Sequence, residues 1–421
     1  MNVWLVNPFD FLPYESYRKG RYTFVVNALL AKGHHVTWWT SNFLHASKQH
    51  RSPGYCIKKI NDNFEIRLLA TPGYGQNISL KRIYNHHIYC RQFMKYAAAA
   101  ETKPDIILAS MPPLGSAVAA IRLGRAFKAK VIIDIIDIWP EVFLFLVPKR
   151  FRTILKALML PLFKRADTIY NDADAIMAVS DTYLARAMNV CRQAKPGLTL
   201  HLGVDLDHFQ DHTAGETAGQ EKYEKKDGDV WITYIGTLGK TYDLDTVLTA
   251  AKAFLGDEKI KFMIAGQGPE FNRLVERAVK EKIRNVHFTG LLDYVNLIAL
   301  LKKSDIGLNA YAPDAPQSFP TKIFDYFAAG LPVVNSLEGE LHRLIAEKKV
   351  GVYYRAGHAG SLTAALKAIL SDERERLAMG NRAYSLAAER FNSRKEYDKL
   401  IILLQDIKGN EQASSQFQGI N

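Results

Sequence analysis

The stretch "VWITYIGTLG", residues 230–239, decides the fold, because it begins a second series of alternating strands and helices. This apolar run ends in a glycine-containing turn, and a helical pattern follows at 244–255. The alternation continues through "IKFMIAGQG" (260–268), a helical pattern (270–282), "NVHFTG" (285–290), "DIGLNAY" (305–311) and "LPVVNS" (331–336). Strands that are apolar throughout, with helices between them, are typical of a parallel sheet covered on both faces. The C-terminal half is therefore predicted to be an α/β domain.

The N-terminal half shows the same pattern. Short apolar runs occur at 1–8, 34–42, 64–73, 104–113, 129–137 and 174–181, and helical patterns separate several of them. We predict an α/β protein of two doubly wound, Rossmann-like domains that face each other across a cleft. The N-terminal domain is expected at 1–205 and the C-terminal domain at 206–382, with a polar linker or loop at 211–229. A helix within 383–421, patterned to about 407, is expected to cross back to the N-terminal domain and end in a flexible tail.

Bulk composition is that of an ordinary globular protein. Of 421 residues, 48% are hydrophobic and 23% are charged. Cys56, Cys90 and Cys191 have unrelated spacings, which argues against a disulfide framework or a zinc cluster and favours a reducing compartment. The N-terminus has no basic segment before its apolar run, so we expect a strand there and not a signal peptide. No apolar run reaches the roughly 18 residues that span a bilayer.

Positive charge is concentrated in the N-terminal half. Residues 1–200 contain 27 Lys and Arg against 13 Asp and Glu, a balance of +14, whereas the remainder contains 28 against 30. This asymmetry predicts an anionic partner: nucleic acid, an anionic membrane or a phosphorylated substrate. We expect no nucleic acid, because no nucleic-acid-binding motif is present and the basic residues are interleaved with bulky apolar ones.

The stretch 141–167 mixes large apolar side chains with six lysines and arginines. A basic amphipathic stretch of this kind can lie in the interface of an anionic membrane, and 79–98 has a similar composition. The alternative is that both are helices packed on the sheet, which explains their apolar residues but not the excess charge. We expect a cytoplasmic protein bound peripherally at the inner face of the plasma membrane.

The stretch "SFPTKIFDYFAAGLPVV", 318–334, carries the chemistry of the C-terminal half. Pro320 suits a first helical turn, and free amides at that helix start, with the Lys322 ammonium, favour a diphosphate. Asp325 follows one turn later on the same face, where a carboxylate can accept two hydrogen bonds from the vicinal diol of a ribose. Diphosphate beside ribose indicates a nucleotide. The alternative is a core helix in which Lys322 and Asp325 form only a surface pair.

Taken in order, these stretches resemble family 4 of the retaining glycosyltransferases, which have the two-domain GT-B fold. The segment 319–334 is similar to the family motif Pro-Ser-Lys-x-x-Glu-Tyr-x-Ala-x-Gly-x-Pro-Val, and "IKFMIAGQGPEFNRL" (260–274) to its Gly-x-Gly-Pro turn. The pentapeptide "DIWPE" (137–141) resembles a subgroup that makes bacterial surface polysaccharides. The resemblance covers about 1–405. It implies that 1–205 is the acceptor-side domain and that 206–382 is the nucleotide-sugar-binding domain.

The resemblance implies an enzyme of class EC 2.4, of the hexosyl or N-acetylhexosaminyl type. Such an enzyme moves a sugar from a nucleotide-sugar to a lipid-linked or glycan acceptor, with retention, in lipopolysaccharide O-antigen or capsule synthesis. Family habit favours UDP. No cofactor is implied, since the nucleotide-sugar is itself a substrate. Three Asp-x-Asp triplets resemble the metal-binding pairs of another glycosyltransferase class: Asp172/Asp174, Asp205/Asp207 and Asp243/Asp245. They lie at predicted helix starts or in the linker, where N-capping is the common role of aspartate, so we expect no metal.

Site residues follow from the same resemblance. Lys322 and Lys240 are expected to stabilise the departing diphosphate, and Asp137 to contact the sugar or stabilise its developing charge. Asp137 could instead cap the following segment or pair with an arginine. Lys240 could instead be an ordinary solvated lysine of the loop. The expected donor-binding residues are Asp325, Gln317, Thr321, Gly20, Arg21, Gly236, Thr237, Gly268 and Leu291, with Arg18 as a further candidate.

Two departures from the family pattern leave a second function open. Gln317 stands where the family has the first acid of Glu-x7-Glu, and Asp325 occupies the second position with a shorter side chain. Thr237 and Tyr242 replace the Arg-x4-Lys pair, so Lys240 in the same loop is expected to reach the phosphates. With these losses, the chain could instead be a non-catalytic scaffold that binds a sugar nucleotide at the membrane.

Overall fold

The computed structural model describes residues 1–15, 18–211 and 224–417. By its internal contacts the chain forms two compact units. Unit 1 comprises Met1–Glu15, Lys19–His201 and the residues from Arg394 onward, and unit 2 comprises Arg18 and Leu202–Ser393. Most of the predicted linker at 211–229 lies outside the described residues. Within the described ranges, no helix combines the length and hydropathy needed to cross a bilayer.

Unit 1 is built on an eight-stranded sheet with a small hairpin beside it. The strands are β1 (Asn2–Val6), β2 (His35–Ser41), β3 (Phe43–Leu44), β4 (Gln49–His50), β5 (Cys56–Asn61), β6 (Phe64–Leu69), β7 (Ile106–Met111), β8 (Lys130–Ile135), β9 (Ala175–Ala178) and β10 (Gly197–Thr199). The sheet order is β10-β9-β8-β7-β1-β2-β6-β5, and only the edge strand β5 runs antiparallel, whereas β3 and β4 form the hairpin. Among the described residues, six α-helices lie between these strands along the chain: α1 (Arg21–Ala31), α2 (Leu80–Ala98), α3 (Leu114–Phe127), α4 (Arg152–Leu158), α5 (Leu160–Asp172) and α6 (Asp181–Met188).

Unit 2 has one parallel sheet of six strands. After α7 (Leu206–Asp211) its elements are β11 (Val230–Ile235), α8 (Leu244–Ala251), β12 (Ile260–Ala265), α9 (Phe271–Lys280), β13 (Val286–Gly290), α10 (Tyr294–Lys303), β14 (Ile306–Asn309), α11 (Lys322–Ala328), β15 (Val333–Asn335), α12 (Glu340–Lys348), β16 (Gly351–Tyr353), α13 (Ala359–Leu370) and α14 (Glu373–Glu389). The order β13-β12-β11-β14-β15-β16 places β11 and β14 side by side, although two strands separate them in the chain. The chain reverses its direction of winding there, which is where open α/β sheets bind ligands.

Both sheets confirm the predicted fold class of parallel, doubly wound α/β domains. The strands of each sheet centre are apolar because helices cover both faces: every residue of β7 is buried, and so are the last five of β8 and of β11. Bulky aromatic side chains such as Trp4, Trp39 and Tyr326 are at most 2% exposed in these cores. Each such burial contributes about 2–3 kcal/mol.

The C-terminal helical pattern differs from its prediction. The expected single helix at about 383–407 is divided between α14 and α15 (Ser393–Phe417), and α15 belongs to unit 1 from Arg394 onward. The break follows from Phe391, which is fully buried in unit 2, with its amide bonded to the carbonyls of Leu386 and Ala387. The expected flexible tail is helical as far as Phe417, because each residue added to a formed helix gains a hydrogen bond.

Candidate functional site

Lys322 lies at the switch point of unit 2. It is the first residue of α11, and its ammonium approaches the loop after β11 and Tyr311, which follows β14. The side chain is only 7% exposed, and within the described residues Nζ has no hydrogen-bond acceptor. The charge lies over three aromatic rings, 4.0 Å from the centroid of Tyr234, 4.8 Å from Tyr242 and 5.3 Å from Tyr311.

This environment stabilises the ammonium only in part. Cation–π contacts each contribute about 0.5–2 kcal/mol, whereas removing a charge from water without a counter-ion costs several kcal/mol. Burial therefore lowers the pKa of the Lys322 side chain to about 7. A buried cation without a partner can be stabilised by an anion that binds beside it, and the arrangement is suited to holding a phosphate group.

Two glycine loops shape the approach to this cation. Gly236 follows β11 with a φ of +133°, and a Cβ built on it would lie 3.1 Å from Lys322 Nζ. Gly266 follows β12 with a φ of +148°, and a Cβ there would lie 1.8 Å from the Gly236 carbonyl oxygen. Only glycine adopts these angles without strain, and the missing side chains leave the backbone close to the ammonium.

Asp325 follows Lys322 on α11 and forms a second polar cluster. Its Oδ1 accepts from the Tyr294 hydroxyl at 3.0 Å and lies 3.2 Å from an Arg18 guanidinium nitrogen. The carboxylate is 2% exposed and Arg18 is 23% exposed, so Arg18 is the outer partner. Burial raises the pKa of the Asp325 carboxyl, and the Arg18 charge and the Tyr294 hydrogen bond oppose that rise. The carboxylate can exchange Arg18 for the hydroxyls of a ligand.

Two backbone amides at the start of α11 are already hydrogen-bonded within its first turn. The amide of Ile323 bonds to the carbonyl of Pro320 at 3.2 Å, and that of Phe324 to Thr321 at 3.3 Å. These bonds leave the predicted amides near 320–322 untested, and their binding of a diphosphate beside Lys322 stays a prediction. Thr321 is exposed, and its carbonyl accepts from Arg18 at 3.5 Å.

The other predicted donor-binding residues of unit 2 lie in loops after the strands. Thr237 and Lys240 are exposed in the loop after β11, and Leu291 is 76% exposed after β13. Gly268 packs on this loop, since a Cβ would lie 2.2 Å from the Leu238 carbonyl oxygen. The buried Gln317 Oε1 has no hydrogen-bond donor within the described residues. Their contacts with a donor stay predictions.

Arg21 does not match its prediction. It was expected to bind the donor, but its guanidinium is 5% exposed in unit 1 and forms two hydrogen bonds of 2.8 Å to Asp134. It also donates to the Leu200 carbonyl. A buried ion pair of this kind is difficult to separate, so Arg21 is a structural residue that neutralises Asp134. Gly20 precedes α1, and a Cβ there would collide with Asp10, whose carboxylate accepts from the Tyr22 amide at 2.7 Å.

Asp137 lies just after β8 in unit 1, half-buried. Its Oδ1 accepts from the Ile138 amide at 2.9 Å, which is a local capping contact. Burial raises the pKa of this carboxyl, an effect that hydrogen bonds and the Arg82 charge oppose. Within the described residues Asp137 forms no ion pair, and its contact with a sugar stays a prediction.

The three Asp-x-Asp triplets match the predicted capping role only in part. Asp205 caps α7, because its Oδ1 accepts from the His208 amide at 3.3 Å. Asp172 ends α5 and pairs with Arg125 at 3.0 Å, and Asp245 pairs with Arg273 at 2.7 Å. Asp243 precedes α8 but accepts from the Gly357 amide at 2.7 Å. In the described part of the chain, no group of three or more His, Cys, Asp or Glu side chains has the arrangement of a metal site.

The aromatic surroundings of Lys322 were not predicted from the sequence. Tyr234 and Tyr242 precede Lys322 by 80 residues or more, Tyr311 precedes it by 11, and each resembles an ordinary core tyrosine. The only local indication is that each of them lies at or after the end of a predicted strand, where a parallel sheet places its ligand-binding residues.

Comparison with known proteins adds a family to this geometry. Residues 216–386 match the family described as "Glycosyl transferases group 1". Among curated proteins, the alpha-monoglucosyldiacylglycerol synthase of Streptococcus pneumoniae is 27% identical over 199 residues, 46% of this chain and 44% of that protein. The putative colanic acid biosynthesis glycosyl transferase WcaI of Escherichia coli is 26% identical over 260 residues, 61% of this chain and 63% of that protein. The alignments thus span less than two-thirds of either relative.

A solved structure has the same fold over most of the chain. The Anabaena protein Alr3699/HepE, solved in complex with UDP and glucose, superposes with a TM-score of 0.67 at 14% identity. The match covers 96% of this chain and 100% of that one.

Proposed function

We propose that this chain, which has the GT-B fold and carries a glycosyl transferases group 1 domain at residues 216–386, is a glycosyltransferase that uses a nucleotide-sugar donor. The buried, unpartnered ammonium of Lys322 at the switch point of unit 2 carries the proposal. UDP is the nucleotide that we propose, because the Anabaena protein of the same fold was solved with UDP and glucose.

Lys322 and Asp325 divide the binding of the donor. Transfer breaks the bond between the sugar C1 and the diphosphate oxygen and forms a bond from C1 to an acceptor hydroxyl, which releases its proton. Positive charge develops on the sugar while the nucleoside diphosphate leaves with the bonding electrons. Lys322 stabilises the diphosphate as that negative charge grows, and Asp325 holds the ribose hydroxyls in place. The family resemblance favours retention of configuration at C1.

Ligand-induced stabilisation tests the proposal. A nucleoside diphosphate present at 100 times its dissociation constant adds about 2.7 kcal/mol to the free energy of unfolding, so we expect a higher melting temperature with UDP than with GDP or ADP. Measurement of UDP release distinguishes an enzyme from a scaffold, because only an enzyme releases UDP from a UDP-sugar when an acceptor is added. Binding of UDP-sugars without turnover over a full panel of acceptors would favour the scaffold, and the absence of any nucleotide effect would contradict both.

We further propose a lipid-linked or glycan acceptor and an anionic membrane as partners. The pneumococcal relative is named as a synthase of a glucosyldiacylglycerol, which is a lipid. In unit 1, the predicted membrane-binding stretch exposes Leu146 (56%), Ile154 (61%) and Leu158 (75%) among its basic residues. Exposed aliphatic side chains beside lysines and arginines fit an anionic interface.

Vesicle sedimentation tests the membrane proposal. Binding to vesicles that contain anionic lipid should fall as salt screens the basic residues, and Leu158→Glu should weaken it because it places a carboxylate in the interface. Leu377→Glu is the matched control, since Leu377 is a similarly exposed leucine (60%) in unit 2. Equal sedimentation of both variants, or indifference to anionic lipid, would contradict a membrane-binding role for this stretch.

Transfer is expected to be independent of metal. Lys322 supplies the positive charge that a divalent cation supplies in metal-dependent glycosyltransferases, so EDTA should leave the rate of UDP release unchanged. Loss of activity in EDTA that returns with magnesium or manganese would overturn this expectation. Removal of EDTA by buffer exchange, without added metal, is the control. Activity that returns in this control shows that the chelator itself inhibits the enzyme.

A further inference from the structure

An apolar groove in unit 1 has no role in the donor site. It encloses about 960 Å3 and is bordered by α2, α3, α5 and the turn at 139–143. Its volume is at the upper end of the range of about 300–1,000 Å3 typical of ligand sites. Arg82, His86, Cys90 and Met94 contribute from α2 at four-residue spacing, so they follow one face of the helix. The groove is thus elongated, roughly 18 Å from Arg82 to Met94.

The charges along this groove all have one sign. Its lining includes four arginines and neither aspartate nor glutamate, and in the described part of the chain none of the four forms an ion pair with a carboxylate. The arginines are Arg82, Arg91, Arg122 and Arg165. An apolar floor with unpaired arginines is complementary to a ligand that is both hydrocarbon and anion.

Arg82 marks the polar end of the groove. Its guanidinium lies 5.7 Å from the Trp139 ring centroid and donates to the Asn77 carbonyl at 2.8 Å, while its Nε is buried with no acceptor in the described residues. His86 Nε2 is likewise buried without a partner there, and burial lowers the pKa of His86 to about 3, so the ring is neutral. This end adjoins Pro113 and Trp139, which follow β7 and β8, and so lies at the carboxyl edge of the sheet.

The mouth of the groove is unusually apolar for a surface. Among its lining residues, Ile78 is 70% exposed, Leu80 82% and Ile83 66%. Several exposed aliphatic side chains close together mark an interaction surface. The exposed apolar surface of the groove also includes Leu162, which is 40% exposed and belongs to the predicted membrane-binding stretch. A ligand that arrives from a bilayer would pass over these side chains without exposing its chain to water.

We infer that this groove binds the acceptor as a long-chain lipid phosphate, with the hydrocarbon chain between α2 and α3 and the phosphate at Arg82. The inference rests on the proposed function, since it names the chemical class of the acceptor. Arg82 Nε and His86 Nε2 then gain the partners that they lack within the protein. Glycosyl transfer would take place on the group that the phosphate carries at the carboxyl edge of the sheet.

Calorimetry with simple amphiphiles below their micelle concentrations tests the inference without any sugar donor. Dodecyl phosphate should bind at least about 100-fold tighter than hexyl phosphate, because each methylene that leaves water contributes roughly a fourfold factor. It should also bind at least about 10-fold tighter than the uncharged dodecyl maltoside, since charge-assisted hydrogen bonds to Arg82 are lost with the latter. Equal affinities for hexyl and dodecyl phosphate would overturn the assignment.

Variants locate the binding. Val118→Trp fills the groove and should abolish the preference for the longer chain, whereas Arg82→Gln should remove the preference for phosphate over maltoside. Arg125→Gln is the control: Arg125 is on the same helix as Val118, 65% exposed and outside the groove. If dodecyl phosphate and anionic vesicles bind all three variants like the parent, the interaction is with the surface alone and the groove is not the site.

The melting temperature of each variant in the presence of UDP separates this inference from the proposed function. A parent-like melting curve without UDP shows that unit 1 of a variant is folded, and a normal shift with UDP shows that unit 2 binds the donor. Lost amphiphile binding is then specific to the groove. Amphiphile binding as predicted, without any effect of UDP on the parent, would leave the groove as a lipid site and contradict the donor assignment.

Discussion

Lys322→Met is expected to reduce kcat by roughly 10²–10³-fold and at the same time to raise the melting temperature of the free protein. The loss of activity follows because removing one preorganised charge from a developing anion typically costs this much. The gain in stability follows because the pKa of the buried ammonium falls from 10.5 to about 7, which corresponds to a penalty on the order of 4 kcal/mol at neutral pH. Methionine fills similar space without a charge.

Because activity falls while stability rises, the variant distinguishes a donor-binding role of Lys322 from a structural role. A merely structural lysine would lose stability and activity together. Lys280→Met is the matched control, since Lys280 is an exposed lysine in the same unit. A Lys322→Met variant that is less stable than the parent and equally active would contradict the assignment.

The pH dependence should show the same titration. The folded pKa of Lys322 lies below its unfolded value, so between about pH 7 and 10.5 the unfolded chain holds a proton that the folded chain lacks, and this side chain makes stability rise with pH. Anion binding restores the proton, so affinity for UDP-glucose should fall as pH rises above about 7, by up to tenfold per unit. Burial raises the pKa values of the neighbouring Tyr234 and Tyr242, so both stay neutral in this range.

UDP-glucose is the appropriate ligand for this titration, because the terminal phosphate of UDP titrates near pH 6 like other phosphate monoesters. Both slopes should be absent in Lys322→Met. Calorimetry at pH 6.5, 7.5 and 8.5 measures the affinity, and an affinity that stays constant over this range in the parent would contradict a titrating cation at the diphosphate.

Asp325→Asn is expected to weaken UDP binding by roughly 10–100-fold, which is the usual contribution of hydrogen bonds to a charged acceptor. The amide keeps the size of the side chain but offers one acceptor oxygen in place of two and carries no charge, so it holds the two ribose hydroxyls and Arg18 less strongly. The parent should therefore prefer UDP to 2′-deoxy-UDP, and the variant should lose most of that preference.

The ratio of the affinities for UDP and 2′-deoxy-UDP is the informative result, because a general loss of stability would weaken the binding of both ligands alike. Asp62→Asn serves as the control, since the Asp62 side chain is 99% exposed in unit 1. A variant that binds less tightly overall but still discriminates against 2′-deoxy-UDP would show that another group holds the ribose.

The fold could be predicted largely from the apolar runs. Parallel strands covered on both faces leave a clear signal, so the strand at 130–135 and that at 230–235 were identified from composition alone. The edge strand β5 was missed, because "CIKKIN" is mostly exposed and pairs on one side only. Its exposed residues break the continuous apolar run by which the central strands were identified, although its partner β6 follows almost directly in the chain.

The site was less predictable because its properties depend on distant residues. The position of Lys322 and Asp325 on one helix could be predicted from their spacing, but the burial of the ammonium among three tyrosines could not. The same limit explains the error at Arg21: its partner Asp134 lies 113 residues away, and a loop arginine shows no sign in sequence of a buried carboxylate. Charge partners in the core are set by topology and not by local sequence.

A structure determined with UDP bound tests the central claim most directly. The account predicts phosphate oxygens within hydrogen-bond distance of Lys322 Nζ, beside Gly236, and both ribose hydroxyls on the Asp325 carboxylate in place of Arg18. UDP bound elsewhere, or bound in unit 2 with the Lys322 ammonium still enclosed by its tyrosines and no phosphate near it, would contradict the account.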